Sequence, residues 1–98
     1  MITRDDIFRR RREILDLASR YGASNVRLFG SVARGDAIET SDVDFVARFE
    51  SGRSLLDLGG LLMDLRELLG VKVDLVSEGA LTGRFGDIVR QETVPLEN

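Results

Sequence analysis

Residues 30–44 read GSVARGDAIETSDVD, and two parts of that run could do chemistry together. Gly30 and Ser31 follow a short apolar stretch and open a helical turn. Free backbone N–H groups at such a start bind anions, and glycine lets a phosphate approach closely. The Ser31 hydroxyl adds a further donor. Ten residues separate Ser31 from Asp42, and Asp44 follows two positions later. Two residues apart on a strand, the two carboxylates point to the same side. That pairing suits a hard divalent cation, since Mg2+ is usually held by one or two carboxylates plus substrate phosphates. A phosphate cradle beside a carboxylate metal site is the equipment of nucleotide chemistry.

Asp74 extends the argument, because it interrupts the apolar stretch VKVDLV (71–76). A lone buried carboxylate is costly, so Asp74 needs a partner or a metal. If its strand pairs with the one carrying Asp42 and Asp44, three carboxylates could hold two metal ions roughly 3.5–4 Å apart. One ion would hold a triphosphate and the other would lower the pKa of an acceptor hydroxyl. Such a site needs no imidazole and no thiol, which fits a chain with no His and no Cys. The same two absences exclude a Ser-His-Asp triad, an imidazole base, a thiol nucleophile, a zinc ribbon and a disulfide framework.

The elements that must position these residues follow from periodicity and caps. Thr3 is an N-cap with Asp5 and Asp6 in the first turn, and the spacing predicts one helix from there to about residue 21, ending at Gly22. Ile7, Arg11, Ile14, Ala18 and Tyr21 share its inner face. The run Arg9–Arg12 reads as a solvated face, with Arg11 snorkelling; a docking surface for an acidic partner or RNA is the other reading. Tyr21 reads as helix packing. Strands are expected at 25–29 and 42–49, with one helical turn between them at 31–35. In the second strand, Asp42, Asp44, Val46 and Arg48 face one way, and Val43, Phe45, Ala47 and Phe49 the other. Ser41 caps the loop before it. Ser54 and Asp57 form a capping box for a helix that ends at Gly70. A stripe of Leu55, Leu58, Leu62, Leu65 and Leu69, widened by Leu56, Leu61 and Leu68, reads as core, with a docking surface as the other reading. Gly59–Gly60 inside it suggests close packing on a sheet, or a kink. A strand at 71–76 and a last helix at 80–92 follow, with Ile88 and Val89 inward and Pro95 as the stop. The expected architecture is one α/β domain over 1–98, a small mixed sheet with flanking helices in the order α-β-α-β-α-β-α.

Composition agrees with a single small domain: 98 residues, 43% hydrophobic and 32% charged. The net charge of −3 is unevenly spread, with residues 1–24 at +2 and the remainder at −5. The acidic balance argues against direct nucleic-acid binding. No stretch resembles a signal peptide or approaches the roughly 20 apolar residues of a membrane span, so no membrane association and a cytoplasmic location are expected.

Taken together, Gly30-Ser31, the ten-residue gap, Asp42-x-Asp44 and Asp74 on a later strand resemble the nucleotidyltransferase superfamily related to DNA polymerase β. The flanking text (LFGSVARGDAIETSDVDFVARF, LLGVKVDLV, IVRQETVPL) resembles its minimal, MNT or MntA-type branch, over nearly the whole chain. The resemblance implies a nucleotidyltransferase fold, Gly30 and Ser31 as the phosphate-binding pair, and Asp42, Asp44 and Asp74 as catalytic, metal-binding acids. Arg34 stands where the family often has a basic residue; phosphate contact and bracing of the loop are its two readings. The resemblance further implies two Mg2+ ions, ATP as substrate, and a HEPN-domain ribonuclease toxin as partner, silenced when AMP is transferred to its tyrosine. The chain has no room for a second, acceptor-binding domain, so the acceptor surface is expected from that partner. Two alternatives stand beside this: a non-catalytic antitoxin that neutralises its partner by contact, and a nucleotidyltransferase acting on a small molecule or an RNA end.

Overall fold

The computed structural model describes residues 1–97. Thr3 begins the first helix, α1 (Arg4–Arg9), through a reciprocal box. Its hydroxyl accepts from the Asp6 N–H at 3.2 Å, and the Asp6 carboxylate accepts from the Thr3 N–H at 2.8 Å. The expected single helix is in fact two. It breaks at Arg10, whose N–H bonds back three residues to Ile7, and resumes as α2 (Arg11–Arg20). The break is held from outside, since the Arg10 guanidinium donates to the Leu68 carbonyl at 2.7 Å and also pairs with Glu13. Ile7, Ile14 and Ala18 are buried as expected, whereas Arg11 is exposed.

Four strands form one mixed sheet in the order β3-β2-β1-β4. β1 (Ala23–Phe29) runs antiparallel to β2 (Val43–Phe49), and β2 runs parallel to β3 (Val73–Ser77). A parallel neighbour requires a crossover, which α4 (Leu55–Leu69) supplies. β1 starts two residues before the expected strand and carries a bulge between Ser24 and Arg27, where Asn25 takes φ +50°. β4 (Val94–Pro95) was not expected. It pairs antiparallel with β1, and Leu96 continues the contact by donating to the Val26 carbonyl at 3.0 Å. Two residues carry no periodicity, and Pro95 reads as a stop rather than as the edge-strand residue it is.

The alternation in β2 divides the core as expected. Val43, Phe45 and Ala47 face α1, α2 and α4, packing with Ile7, Ile14, Leu61 and Leu65. Val46 faces the other way, into a smaller cluster with Phe29, Leu81 and Val89. Asp42 and Asp44 belong to this second face by strand geometry.

Two helices rotate away from the expected faces. In α4 the fully buried leucines are Leu61 and Leu65, while Leu55 and Leu56 are 83% and 88% exposed. Eight leucines encircle more of the helix than one face can cover; Leu56 lies roughly 140° round from Leu61. The rotation is set at Gly60, where an added Cβ would stand 2.6 Å from Cε1 of Tyr21. The close packing inferred from the glycine pair is therefore real, but its partner is the Tyr21 ring and not a sheet. Tyr21 is fixed there by its hydroxyl, which donates to Asp64 at 2.6 Å. The last helix, α5 (Gly83–Glu92), follows a 3-10 turn at Glu78–Ala80. Val89 is buried, but Ile88 is 48% exposed. The buried companion is Gly86, so close to the Leu81 backbone that a Cβ would stand 2.8 Å from its carbonyl carbon.

The two central glycines should respond oppositely to alanine. Gly60→Ala should destabilise the fold by about 1–3 kcal/mol through overpacking against Tyr21. Gly59, with open space around its Cα, should gain up to about 1 kcal/mol of helix propensity on the same change. Urea denaturation of both variants tests this; equal shifts would show that the Tyr21 contact does not set the rotation of α4.

Candidate active site

Strand register brings the separated motif residues to one place. Phe29, the last residue of β1, lies opposite Asp44 of β2, and Asp44 lies opposite Asp74 of β3. Directly paired residues project to the same face of a sheet, so the two carboxylates are neighbours. Gly30 comes next after Phe29 and takes φ +74°. Its Cα presses on Asp44 so closely that a Cβ would collide with Oδ2. Backbone conformation and contact thus both demand glycine at this position. Asp42 stands just before β2, its Oδ2 3.9 Å from Nζ of Lys72, and the Lys72 carbonyl accepts from the Val43 N–H at 3.0 Å.

Ser31 begins the second residue of α3 (Gly30–Arg34), the short helical turn expected after β1. Gly35, left-handed at φ +84°, ends that turn, and its N–H bonds to the Ser31 carbonyl at 3.0 Å. Arg4 of α1 donates to the Ala33 carbonyl at 3.0 Å, which ties the turn to the helical layer. Ser41 behaves as a structural residue: its hydroxyl accepts from the Ile38 N–H, and its own N–H donates to the Ile38 carbonyl, both at 2.9 Å.

Arg34 is engaged by protein carboxylates. Its Nε donates to Asp36 at 3.2 Å, and its Nη1 reaches both Glu92 oxygens at 3.1 Å. This braces α3 against the end of α5. Glu92 and Lys72 are the two charged residues near the motif that spacing does not reveal. Glu92 lies 58 positions from Arg34, and nothing local marks the pair.

The electrostatics centre on Asp44. Half-burial first, then the charges of Asp74 and Asp42, push its pKa up from 3.8 to about 6, while Arg34 pulls in the opposite direction. Among the described residues, no three acidic side chains converge tightly enough to make a ready-built metal cage.

Comparison with known proteins gives a consistent result. Residues 11–95 match the family described as nucleotidyltransferase domain. A relative from Thermococcus cleftensis, the protein adenylyltransferase MntA, is 40% identical over 79 residues, covering 81% of this chain and 80% of that one. A solved structure called a minimal nucleotidyltransferase superposes with a TM-score of 0.85 at 47% identity, covering 96% of both chains. Two further structures share the fold at lower identity. A toxin–antitoxin structure with AMP-PNP has a TM-score of 0.76 at 21% identity, covering 90% of this chain and 73% of that one. A tri-AMPylated Shewanella oneidensis HEPN toxin in complex with its MNT antitoxin gives 0.68 at 19%, covering 90% and 69%.

The raised pKa of Asp44 has a consequence for stability without metal. Between 3.8 and about 6 the folded chain binds more protons at this group than the unfolded chain does. Stability from Asp44 is therefore present at low pH and lost as pH rises through that window. Thermal melts in EDTA should show Asp44→Asn gaining on the wild type from pH 4 upward and levelling off near pH 7. A difference that stays constant with pH would show that the carboxylate ionises in the fold without penalty.

Proposed function

The chain belongs to the nucleotidyltransferase domain family, and from that premise we propose that it is a Mg2+-dependent protein adenylyltransferase acting as an antitoxin. Its donor is ATP, and its acceptor is a tyrosine of a HEPN-domain ribonuclease toxin. The observation that carries this reading is the register line Phe29–Asp44–Asp74, with Gly30 pressed against Asp44 and Asp42 just before β2. It is supported by the name of the Thermococcus cleftensis relative and by the HEPN toxin found AMPylated beside its MNT antitoxin.

The residues fit Mg2+. Asp42, Asp44 and Asp74 offer only hard oxygen ligands, and the chain contains no His or Cys to favour a softer metal. Burial first and then carboxylate repulsion raise the Asp44 pKa, and a cation at the same place would relieve the repulsion. When bound, Mg2+ supplies positive charge to the phosphates and lowers the pKa of the acceptor hydroxyl.

The chain's own groups divide the remaining work. The backbone at Gly30 and Ser31, with the Ser31 hydroxyl, holds the phosphate tail. Asp42 and Asp44 would hold the cation. Asp74 is exposed on β3, at the edge of the sheet. It is open to the acceptor, and its carboxylate takes the tyrosine proton. The tyrosine oxygen bonds to the α-phosphorus, the bond from that phosphorus to the bridging oxygen breaks, and the electron pair leaves with pyrophosphate. Arg34, held by Asp36 and Glu92, keeps α3 in place and sets a positive charge near Asp44.

Intact-mass measurement after incubation with ATP, Mg2+ and a HEPN partner tests the reading. At one-tenth of the partner's concentration, the protein should add AMP to all of it. Asp42→Asn and Asp44→Asn should remain folded and lose transfer by at least about a hundredfold, the scale expected when several kcal/mol of charge stabilisation is removed. Inhibition of the partner that needs equal amounts of protein and leaves no added mass would establish neutralisation by contact alone. Full transfer by the variants would overturn the role of the acids.

A further inference from the structure

A cavity of about 610 Å³ opens beside Asp42, at the end of the sheet where β2 and β3 begin. Its apolar wall comes from three separate stretches of chain: Ile2, then Ala37 and Ile38, then Val71. Thr40 and Lys72 bring polar groups to the same space. Four smaller cavities border none of Gly30, Ser31, Arg34, Asp42, Asp44 or Asp74. We propose that this cavity receives the nucleoside half of the donor nucleotide and that it favours a purine. The inference rests on the nucleotidyltransferase reading, and it assigns the base-recognition residues that the motif leaves open.

The argument is one of continuity and chemistry. If the acids and the Gly30–Ser31 turn hold the phosphates, the ribose and base must lie in space contiguous with them. Asp42 is the shared wall. A purine presents two flat apolar faces and a few polar edge atoms. Small-molecule sites typically span about 300–1,000 Å³ and join apolar walls to placed polar groups; this cavity does so with a lining that is half polar, Glu39 included. The Lys72 ammonium, 3.9 Å from Asp42, stands at the junction between cavity and acids. There it can meet the negative charge where ribose joins phosphate.

The wall is also held in place. Ile2, Ala37 and Val71 pack against the main core. Ile38 is a large apolar side chain left 65% exposed. It is presented by a turn that the two Ser41 hydrogen bonds fix. Covering such a side chain with a base contributes apolar burial at the moment of binding.

The test compares ATP with inorganic tripolyphosphate, which carries the phosphates without the nucleoside. Equilibrium binding in Mg2+ is measured for the wild type and for Ile38→Asp, a change at an exposed position that leaves the core intact. ATP affinity should fall about tenfold in the variant while tripolyphosphate affinity stays within about twofold. The wild type should bind ATP and GTP more tightly than CTP and UTP. Photolabelling with 8-azido-ATP should mark peptides containing residues 1–2, 37–41 or 71–72. Equal losses for ATP and tripolyphosphate, an unchanged ATP affinity, or a label confined to other peptides would overturn the assignment. Indifference to the base would overturn the purine preference. Failure of the wild type to bind either ligand would remove the nucleotidyltransferase reading itself, and this assignment with it.

Discussion

Everything at the site depends on one strand being gripped in register from both sides. β2 has an antiparallel neighbour that ends at Phe29 and a parallel neighbour that begins at Val73. Because side chains alternate, a slip of one residue on either side would turn Asp74 to the opposite face or move Gly30 off Asp44. The apolar residues between the acids prevent such a slip. Val43, Phe45 and Ala47 are buried on one face and Val46 on the other, so a shifted β2 would put its carboxylates into the core.

The helices reinforce this register at particular points. The Arg66 guanidinium of α4 donates twice to the Val73 carbonyl, at 3.1 and 3.0 Å, and so ties the crossover helix to the first residue of β3. Arg10 ties the break between α1 and α2 to the C-terminal end of the same helix through the Leu68 carbonyl. On the opposite face, the largely buried Arg27 side chain bonds Glu78 at 2.6 Å, holding the 3-10 turn over β1. The arginines that look from composition like a basic surface are in part carbonyl ligands joining elements. This also explains why the Arg9–Arg12 run resolves into separate tasks. Arg9 pairs with Asp6, and Arg10 crosses to α4.

What was legible in the chain was what has a local cause. The caps at Thr3 and Ser54 and the left-handed glycines after helices at Gly22 and Gly70 depend on residues within a few positions of one another. So does the alternation in β2. The spacing of the motif acids was legible for the same reason. Asp74 does lie beside Asp44, but it is exposed, so the burial cost that argued for a partner does not act on it. The misjudged features have non-local causes. The break at Arg10 is held by α4, the rotation of α4 is set by Tyr21, and Ile88 is turned out because Gly86 fits against Leu81. Periodicity counts apolar residues around a helix but contains no information about which neighbour comes closest. The bracing of Arg34 by Glu92 was invisible for the same reason.

The absence of histidine gives the site its electrostatic logic. Its nearby cations are already matched: Arg34 is shared between Asp36 and Glu92, and Lys72 leans toward Asp42. Half-burial, and then two other carboxylates met by weak compensation, lift the Asp44 pKa to about 6. A side chain at that position which could reach Asp44 and neutralise it would lower the repulsion and with it the pull on an external cation. Gly30 excludes such a side chain by standing against Oδ2 with no Cβ at all. The glycine of the motif then has two effects at once. It leaves the backbone at the start of α3 uncovered, and it keeps a competing side chain away from the neighbouring carboxylate.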